Sequence, residues 1–225
     1  MTTDDNVIAV DRAIAELRRG LLVLLGTDDE DYALALAAEQ ASLGSLAEIC
    51  SWGMDGANGA NRAVLVLTES RARALHIKPT GTGVVLLPVD QNTDVGIVQT
   101  LADGSTDLAQ PLRGPFKRDR RPPLETEIAA VQLAKAARLL PSAVVMPITD
   151  KSRLYAAERK FLTVTTSQIF DFEPSAALSL RQVAEAPVPL ADAQDCRLVA
   201  FRPADCGIEH LAIIIGDPDR HSPVL

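Results

Sequence analysis

Ala13-Ile-Ala-Glu-Leu-Arg-Arg-Gly20, Leu21-Leu-Val-Leu-Leu25 and Thr27-Asp-Asp-Glu-Asp31 follow one another near the start of the chain, and their reading sets the fold class. Val10, Ile14 and Leu17 recur at helical spacing, Arg18 and Arg19 suit a last turn, and Gly20 suits a stop, so the first piece predicts an amphipathic helix. Leu21 to Leu25 is a brief, wholly apolar run, the pattern of a buried strand. Thr27 and Glu30 have capping-box spacing, with acids placed at the positive end of a helix dipole, which predicts a second helix through Ala41. Helix, strand and helix in succession indicate a mixed α/β protein.

Further along, a helical turn is expected over Ser45 to Cys50, a loop at Gly53 to Gly59, a strand at Ala63 to Leu67 and a helix at Glu69 to Leu75. Strands are expected at Val84 to Pro88 and Gly96 to Thr100. Gln110 to Pro123 reads as a proline-rich basic loop. Glu125 to Leu140 carries Ala129, Leu133, Ala137 and Leu140 on one face and Glu127, Gln132, Lys135 and Arg138 on the other, the pattern of an amphipathic helix ended by Pro141. A strand follows at Ala143 to Ile148, another at Phe161 to Thr165, and helices at Ser167 to Phe172 and Ser175 to Glu185. Ala186-Pro-Val-Pro-Leu190 reads as an extended linker, dividing a body of residues 1–185 from a tail of residues 186–225. In the tail, Arg197 to Arg202 and Ile208 to Ile215 flank a Gly/Pro/Asp loop, a β-hairpin pattern. Pro223-Val-Leu225 looks like the start of a further strand.

With 225 residues the chain can bury a sizeable core, and aromatics at 4% mean that this core is built from small aliphatic side chains. A formal net charge of −8 argues against a general binder of nucleic acid or anionic membrane, because long-range repulsion opposes both. Cys50, Cys196 and Cys206 show no disulfide-like spacing, which fits a reduced, cytoplasmic setting.

Two clusters could carry chemistry. Asp28, Asp29 and Glu30, joined by Glu127, could hold Mg²⁺ through oxygen ligands; the plainer reading is that the acids cap a helix. Arg113, Lys117 and Arg118, with Arg120 and Arg121, could clasp a phosphorylated ligand; the plainer reading is a solvated loop. Gly53, Gly56 and Gly59 precede a strand rather than a helix and do not make a dinucleotide fingerprint. Cys206 and His210 supply too few ligands for a zinc site. His76 and His221 read as surface residues.

Ala13 to Gly20, the apolar strand, Asp28 to Asp31 and Ala37-Ala-Glu39, then Leu65-Val-Leu-Thr-Glu-Ser-Arg71 and Leu75-His-Ile77, then Thr126-Glu127, Leu133-Ala134 and Leu139-Leu-Pro141, resemble in order the 3,4-dihydroxy-2-butanone 4-phosphate synthases of riboflavin biosynthesis. The resemblance covers most of residues 10–172 and implies a mixed α+β sandwich. The tail, with Val183 to Leu190, Val199-Ala-Phe-Arg202, Gly207-Ile-Glu-His-Leu-Ala212, Gly216-Asp217 and Pro223-Val-Leu225, resembles the opening of GTP cyclohydrolase II.

The synthase family carries Arg-Glu-x-Glu-Gly-Asp after its acidic run and a Gly-His-Thr-Glu motif, each with a metal ligand. Here Tyr32 follows the acids at once, and Leu124-Glu-Thr-Glu127 stands in the second place. The cyclohydrolase zinc cysteines are expected beyond Leu225. The resemblance therefore implies a degenerate, non-catalytic synthase-like domain with scaffold or dimerisation roles, working as a homodimer beside a cyclohydrolase domain in the same or another chain. It implies no cofactor in this chain and zinc only in that other domain. The alternatives are a Mg²⁺-dependent sugar-phosphate binder or a synthase with a rebuilt site, and a partner-binding protein that uses an exposed strand edge at the C-terminus.

Overall fold

The structure, a computed structural model, describes residues 3–29, 31–53, 62–105, 107–108, 114–148, 159–203 and 209–219, without the side chains of residues 3–5 and 173–178. Two compact units divide between Asp171 and Phe172.

The first unit is built on a six-stranded sheet in the order β4-β3-β5-β2-β1-β6. Its strands are β1 (Val23–Gly26), β2 (Tyr32–Ala37), β3 (Val64–Thr68), β4 (Val84–Pro88), β5 (Ser142–Ile148) and β6 (Leu162–Thr165). All neighbours run antiparallel except β1 and β6. Its helices are α1 (Thr3–Arg18), α2 (Leu43–Ser51), α3 (Glu69–Ala74), α4 (Val95–Ala102), α5 (Glu125–Ala136) and the start of α6 (Thr166–Leu178).

The central strands are covered on both faces, which explains why they read as continuous apolar runs. Leu34, Leu36, Leu65, Leu67, Val144 and Met146 point to one face and pack with Leu46 and Ile49 of α2, Ala72 of α3, and Val98 and Leu101 of α4. The opposite face meets α1 and α5. On that side Ala33, Ala35, Ala37 and Ala143 lie in the sheet, while Ala129, Ala130, Leu133 and Ala134 of α5 are buried. Small residues on both partners let helix and sheet approach closely, as the sparse aromatic content leads one to expect.

Two sequence expectations are overturned in the first unit. Thr27 to Ala41 is not a helix: its centre is strand β2, joined to β1 by a tight turn. The Thr27 hydroxyl does accept a backbone N–H, but from Asp31 at 3.1 Å, and the Thr27 N–H donates to the Asp31 carbonyl at 2.9 Å. A Thr in this role closes a hairpin as well as it caps a helix. Gly96 to Thr100 is not a strand but the body of α4, started by Asp94, whose carboxylate accepts the Ile97 N–H at 3.3 Å.

Elsewhere in the first unit the structure follows the sequence, with α1 beginning earlier than its apolar stripe and α5 ending before Arg138, which takes φ 57°. The expected Gly53 to Gly59 loop lies almost wholly outside the described residues.

The second unit is a three-stranded antiparallel sheet, β7 (Arg181–Pro187), β8 (Cys196–Arg202) and β9 (His210–Ile215). The expected hairpin is β8–β9, paired from Cys196↔Ile215 to Phe201↔His210. Residues 181–187, read from sequence as a helix end running into a linker, instead add a strand to that hairpin, with a bulge between Gln182 and Ala184. The expected strand at Pro223 to Leu225, together with Cys206 and His221, falls outside the described residues. Leu211, Ile213 and Ile215 of β9 are exposed by 59–65%.

Candidate functional site

Strand register places several polar groups at one end of the first sheet. Gly26 pairs with both Tyr32 and Thr165, and Tyr32 with Ile148, so the β1–β2 turn and the C-terminal ends of β5 and β6 lie side by side. The α6 helix begins there with a reciprocal cap: the Thr165 N–H donates to the Gln168 side chain at 2.9 Å, and the Gln168 N–H to the Thr165 hydroxyl at 3.3 Å. Thr166, 1% exposed, donates its hydroxyl to the Glu125 carboxylate, which fixes the N-terminus of α5 at the same end.

Glu127 is the centre of the arrangement. It is 0% exposed, although helical periodicity places it on the polar face of α5. Arg121, arriving from the loop before the helix, donates to both of its oxygens, one at 3.0 Å. The Leu124 N–H donates to the same carboxylate at 2.8 Å, as in the capping half of a helix start. Asp119 lies 3.6 Å from the Arg121 guanidinium, accepts the Arg121 backbone N–H at 3.2 Å and receives Arg62 at 3.2 Å. Hydrogen bonds from Arg121 to Glu127, opposed by partial burial and helped by the charges of Glu127 and Asp119, hold the Arg121 pKa above its ordinary value. Partial burial works to raise the Asp119 pKa, but the Arg121 N–H and the charges of Arg62 and Arg121 outweigh it and set that carboxyl below its ordinary value.

The described residues singled out in the sequence stand on the β1–β2 turn, on the segment before α5 and on α5 itself. Asp28 and Asp29 are exposed at the tip of the β1–β2 turn, and Glu30 lies outside the described residues. Arg118 donates to the carbonyls of Lys78 at 2.9 Å and Pro79 at 3.3 Å, Lys117 is exposed, and Arg113 lies outside the described residues. Among the described residues no group of three or more His, Cys, Asp or Glu side chains could hold a metal ion. At the start of α5, where the synthase resemblance implies divalent metal, the carboxylates are bonded to a threonine hydroxyl and a guanidinium. These residues do not fit the ion.

Periodicity could not have found Asp119, Arg62 or Thr166, whose roles depend on contacts distant in sequence. Arg71 is a further case. It donates to the carbonyls of Leu101 at 2.7 Å, Asp103 at 2.8 Å and Thr100 at 3.2 Å and to Asp107 at 2.9 Å, closing the C-terminus of α4.

Two open cavities flank α4. One, of about 580 Å³, is lined by Asp94, Ile97, Thr100, Leu101 and Phe116; the other, of about 550 Å³, by Glu39, Gln99, Thr100, Asp103 and Leu140. Their polar groups are largely turned inward: Gln99 donates to the Ala41 carbonyl at 2.9 Å, and the Glu39 carboxylate accepts the Leu140 N–H at 2.7 Å. No helix of the described residues is long and apolar enough to cross a membrane.

No model of a known protein family matches the chain. In architecture it has the fold of the 3,4-dihydroxy-2-butanone 4-phosphate synthases. It superposes on the Candida albicans synthase with a TM-score of 0.53 at 16% identity, over 73% of this chain and 96% of that one. On a two-domain synthase from A. baumannii the TM-score is 0.54 at 16% identity, over 92% of this chain and 70% of that one.

In sequence, the chain is a relative of proteins named GTP cyclohydrolase-2. It is 38% identical over 220 residues to the one from Azospirillum brasilense, covering 96% of this chain and 56% of that protein. It is 27% identical over 222 residues to the one from Xylella fastidiosa strain Temecula1, covering 96% of this chain and 50% of that protein. The chain spans about half the length of the curated relatives it matches.

Proposed function

We propose that the chain serves riboflavin biosynthesis as a synthase-like domain that has given up catalysis and acts as a scaffold or dimerisation module for a cyclohydrolase activity in the same or another chain. Its likeness to GTP cyclohydrolase-2 proteins supports the pathway, and its synthase fold supports the type of domain. The observation that carries the loss of catalysis is the engagement of Glu127, with no exposed surface, by Arg121, beside Glu125 bonded to Thr166. A metal-dependent sugar-phosphate site would need those carboxylates free, and Arg118 and Arg121 released from their internal acceptors. The test is turnover. The purified chain with Mg²⁺ and either ribulose 5-phosphate or GTP should consume neither, and product from either substrate sinks the reading.

One observation favours a partner-binding reading alongside it. Leu211, Ile213 and Ile215 form an exposed apolar row on β9, a surface suited to contact with another protein domain. Methyl resonances of these residues should shift when a cyclohydrolase domain of a relative is added, and unchanged spectra at saturating concentration would remove this reading. Light scattering gives the mass of the assembly, with a homodimer expected.

A further inference from the structure

β4 is an edge strand of the six-stranded sheet and reads Val84-Val-Leu-Leu-Pro88, without a charge. Such a strand invites pairing with another copy unless its outer edge is closed. Its inward-facing residues are fixed by two neighbouring bonds to β3 and its flanks, Glu69 N–H to Gly83 and Val89 N–H to Ala63. Alternation then turns the backbone groups of Val84, Leu86 and Pro88 outward.

One backbone group at each outward position is dealt with. The Val84 carbonyl lies 2.8 and 3.2 Å from the hydroxyls of Thr80 and Thr82. The Leu86 carbonyl accepts the Asp119 N–H at 2.9 Å. Pro88 has no N–H to offer, and proline is tolerated where the N–H side faces away from the sheet. Asp119 belongs to residues 114–123, which carry no regular structure. That segment is fastened on either side of Asp119, by Arg118 on the Lys78 and Pro79 carbonyls and by Arg121 on Glu127, and Asp119 itself is held by Arg62.

We propose that residues 114–123 are a strap latched over the outer edge of β4, and that releasing the latch lets β4 pair with β4 of a second copy of this chain. Arg118 and Arg121 serve the strap as fasteners rather than as a phosphate clamp. The strap closes an interaction surface that the apolar strand would otherwise offer.

Amide exchange of the Asp119 N–H, measured by NMR on the full chain, reads the latch, and light scattering reads the edge. In Arg121→Gln, and independently in the double variant Arg62→Ala/Arg118→Ala, Asp119 exchange should rise at least tenfold while the Leu65 amide of β3 keeps its wild-type protection. The mass should grow with concentration beyond that of the wild type. Unchanged Asp119 exchange in a folded variant overturns the latch, and faster exchange with a wild-type mass overturns the role in shielding. If Arg121→Gln does not fold, the double variant, which leaves Glu127 and Arg121 intact, decides alone.

Discussion

Arg121→Ala is the most informative single change to the first unit. It removes both hydrogen bonds to Glu127 and leaves that carboxylate, with no exposed surface, only the Leu124 N–H at 2.8 Å. Breaking a buried ion pair by deleting one partner costs about 3–5 kcal/mol, because the survivor is left charged and poorly solvated. The Arg121 side chain is 29% exposed, so water can reach part of the vacated space, and the lower end applies, about 3 kcal/mol. For a domain of this size that corresponds to a fall in Tm of about 6–12 °C.

The protein has a single tryptophan, Trp52, packed edge-to-face on Phe161 with ring centroids 5.6 Å apart in the first unit. Urea unfolding followed by Trp52 fluorescence therefore reports this unit alone. Replacing both partners, Arg121→Met with Glu127→Leu, should recover most of the loss, since apolar residues of similar size often substitute for a buried pair at little cost. A single variant within about 0.5 kcal/mol of wild type, the range of an ordinary surface substitution, would mean that Glu127 does not depend on Arg121.

Three other outcomes follow from the same structure. Gly20 sits at φ +73°, and a Cβ there would lie 2.9 Å from the Gln40 carbonyl oxygen, whereas Gly81 at φ +82° has nothing within 4 Å; Gly20→Ala should cost more than Gly81→Ala, which should show only the left-handed penalty of about 1–2 kcal/mol in urea unfolding. Arg71→Ala should destabilise the first unit by about 2–3 kcal/mol, because the carbonyls at the end of α4 and the Asp107 carboxylate lose a charged donor, and equal stability in thermal denaturation would count against the clamp. The Asp119 carboxyl has a folded pKa below its unfolded one, so its contribution is present above the unfolded pKa and lost as pH falls through the folded value; carbon-detected titration should place its midpoint below the ordinary aspartate value, and a normal or raised midpoint would contradict the network.

The sequence made some elements legible and hid others for identifiable reasons. Continuous apolar runs marked β3, β4 and β5, because strands covered on both faces need no alternation of polarity. In β2, Ala33-Leu-Ala-Leu-Ala37 does alternate, but in size rather than polarity: leucines face α2, α3 and α4, and alanines face α5. The capping-box spacing at Thr27 and Glu30 drew the reading toward a helix, although a Thr in a hairpin turn makes the same kind of side-chain bond. At α4 the residues Gly96 to Thr100 favour no element strongly, and Asp94 as an N-cap was the available signal.

At the candidate site, residue types suggested metal and phosphate chemistry, but Glu125, Glu127 and Arg118 find their partners on other segments of the chain. Arg121 reaches Glu127 from an irregular segment, Thr166 reaches Glu125 across 41 residues, and Arg62 reaches Asp119 across 57. Side-chain bonds over such separations leave no periodic trace. The resemblance to the synthases pointed to the fold of the first unit, while the use of its polar groups is read from contacts.

The proposal rests on Glu125 and Glu127 being engaged internally, which would leave the start of α5 without a catalytic metal. Manganese binding, followed by electron paramagnetic resonance on the purified chain, tests it most directly. Weak, non-saturating binding is expected, unchanged by Asp28→Asn, Asp29→Asn or Glu127→Gln. Saturable binding of one ion per chain, lost in any of these variants, would contradict it.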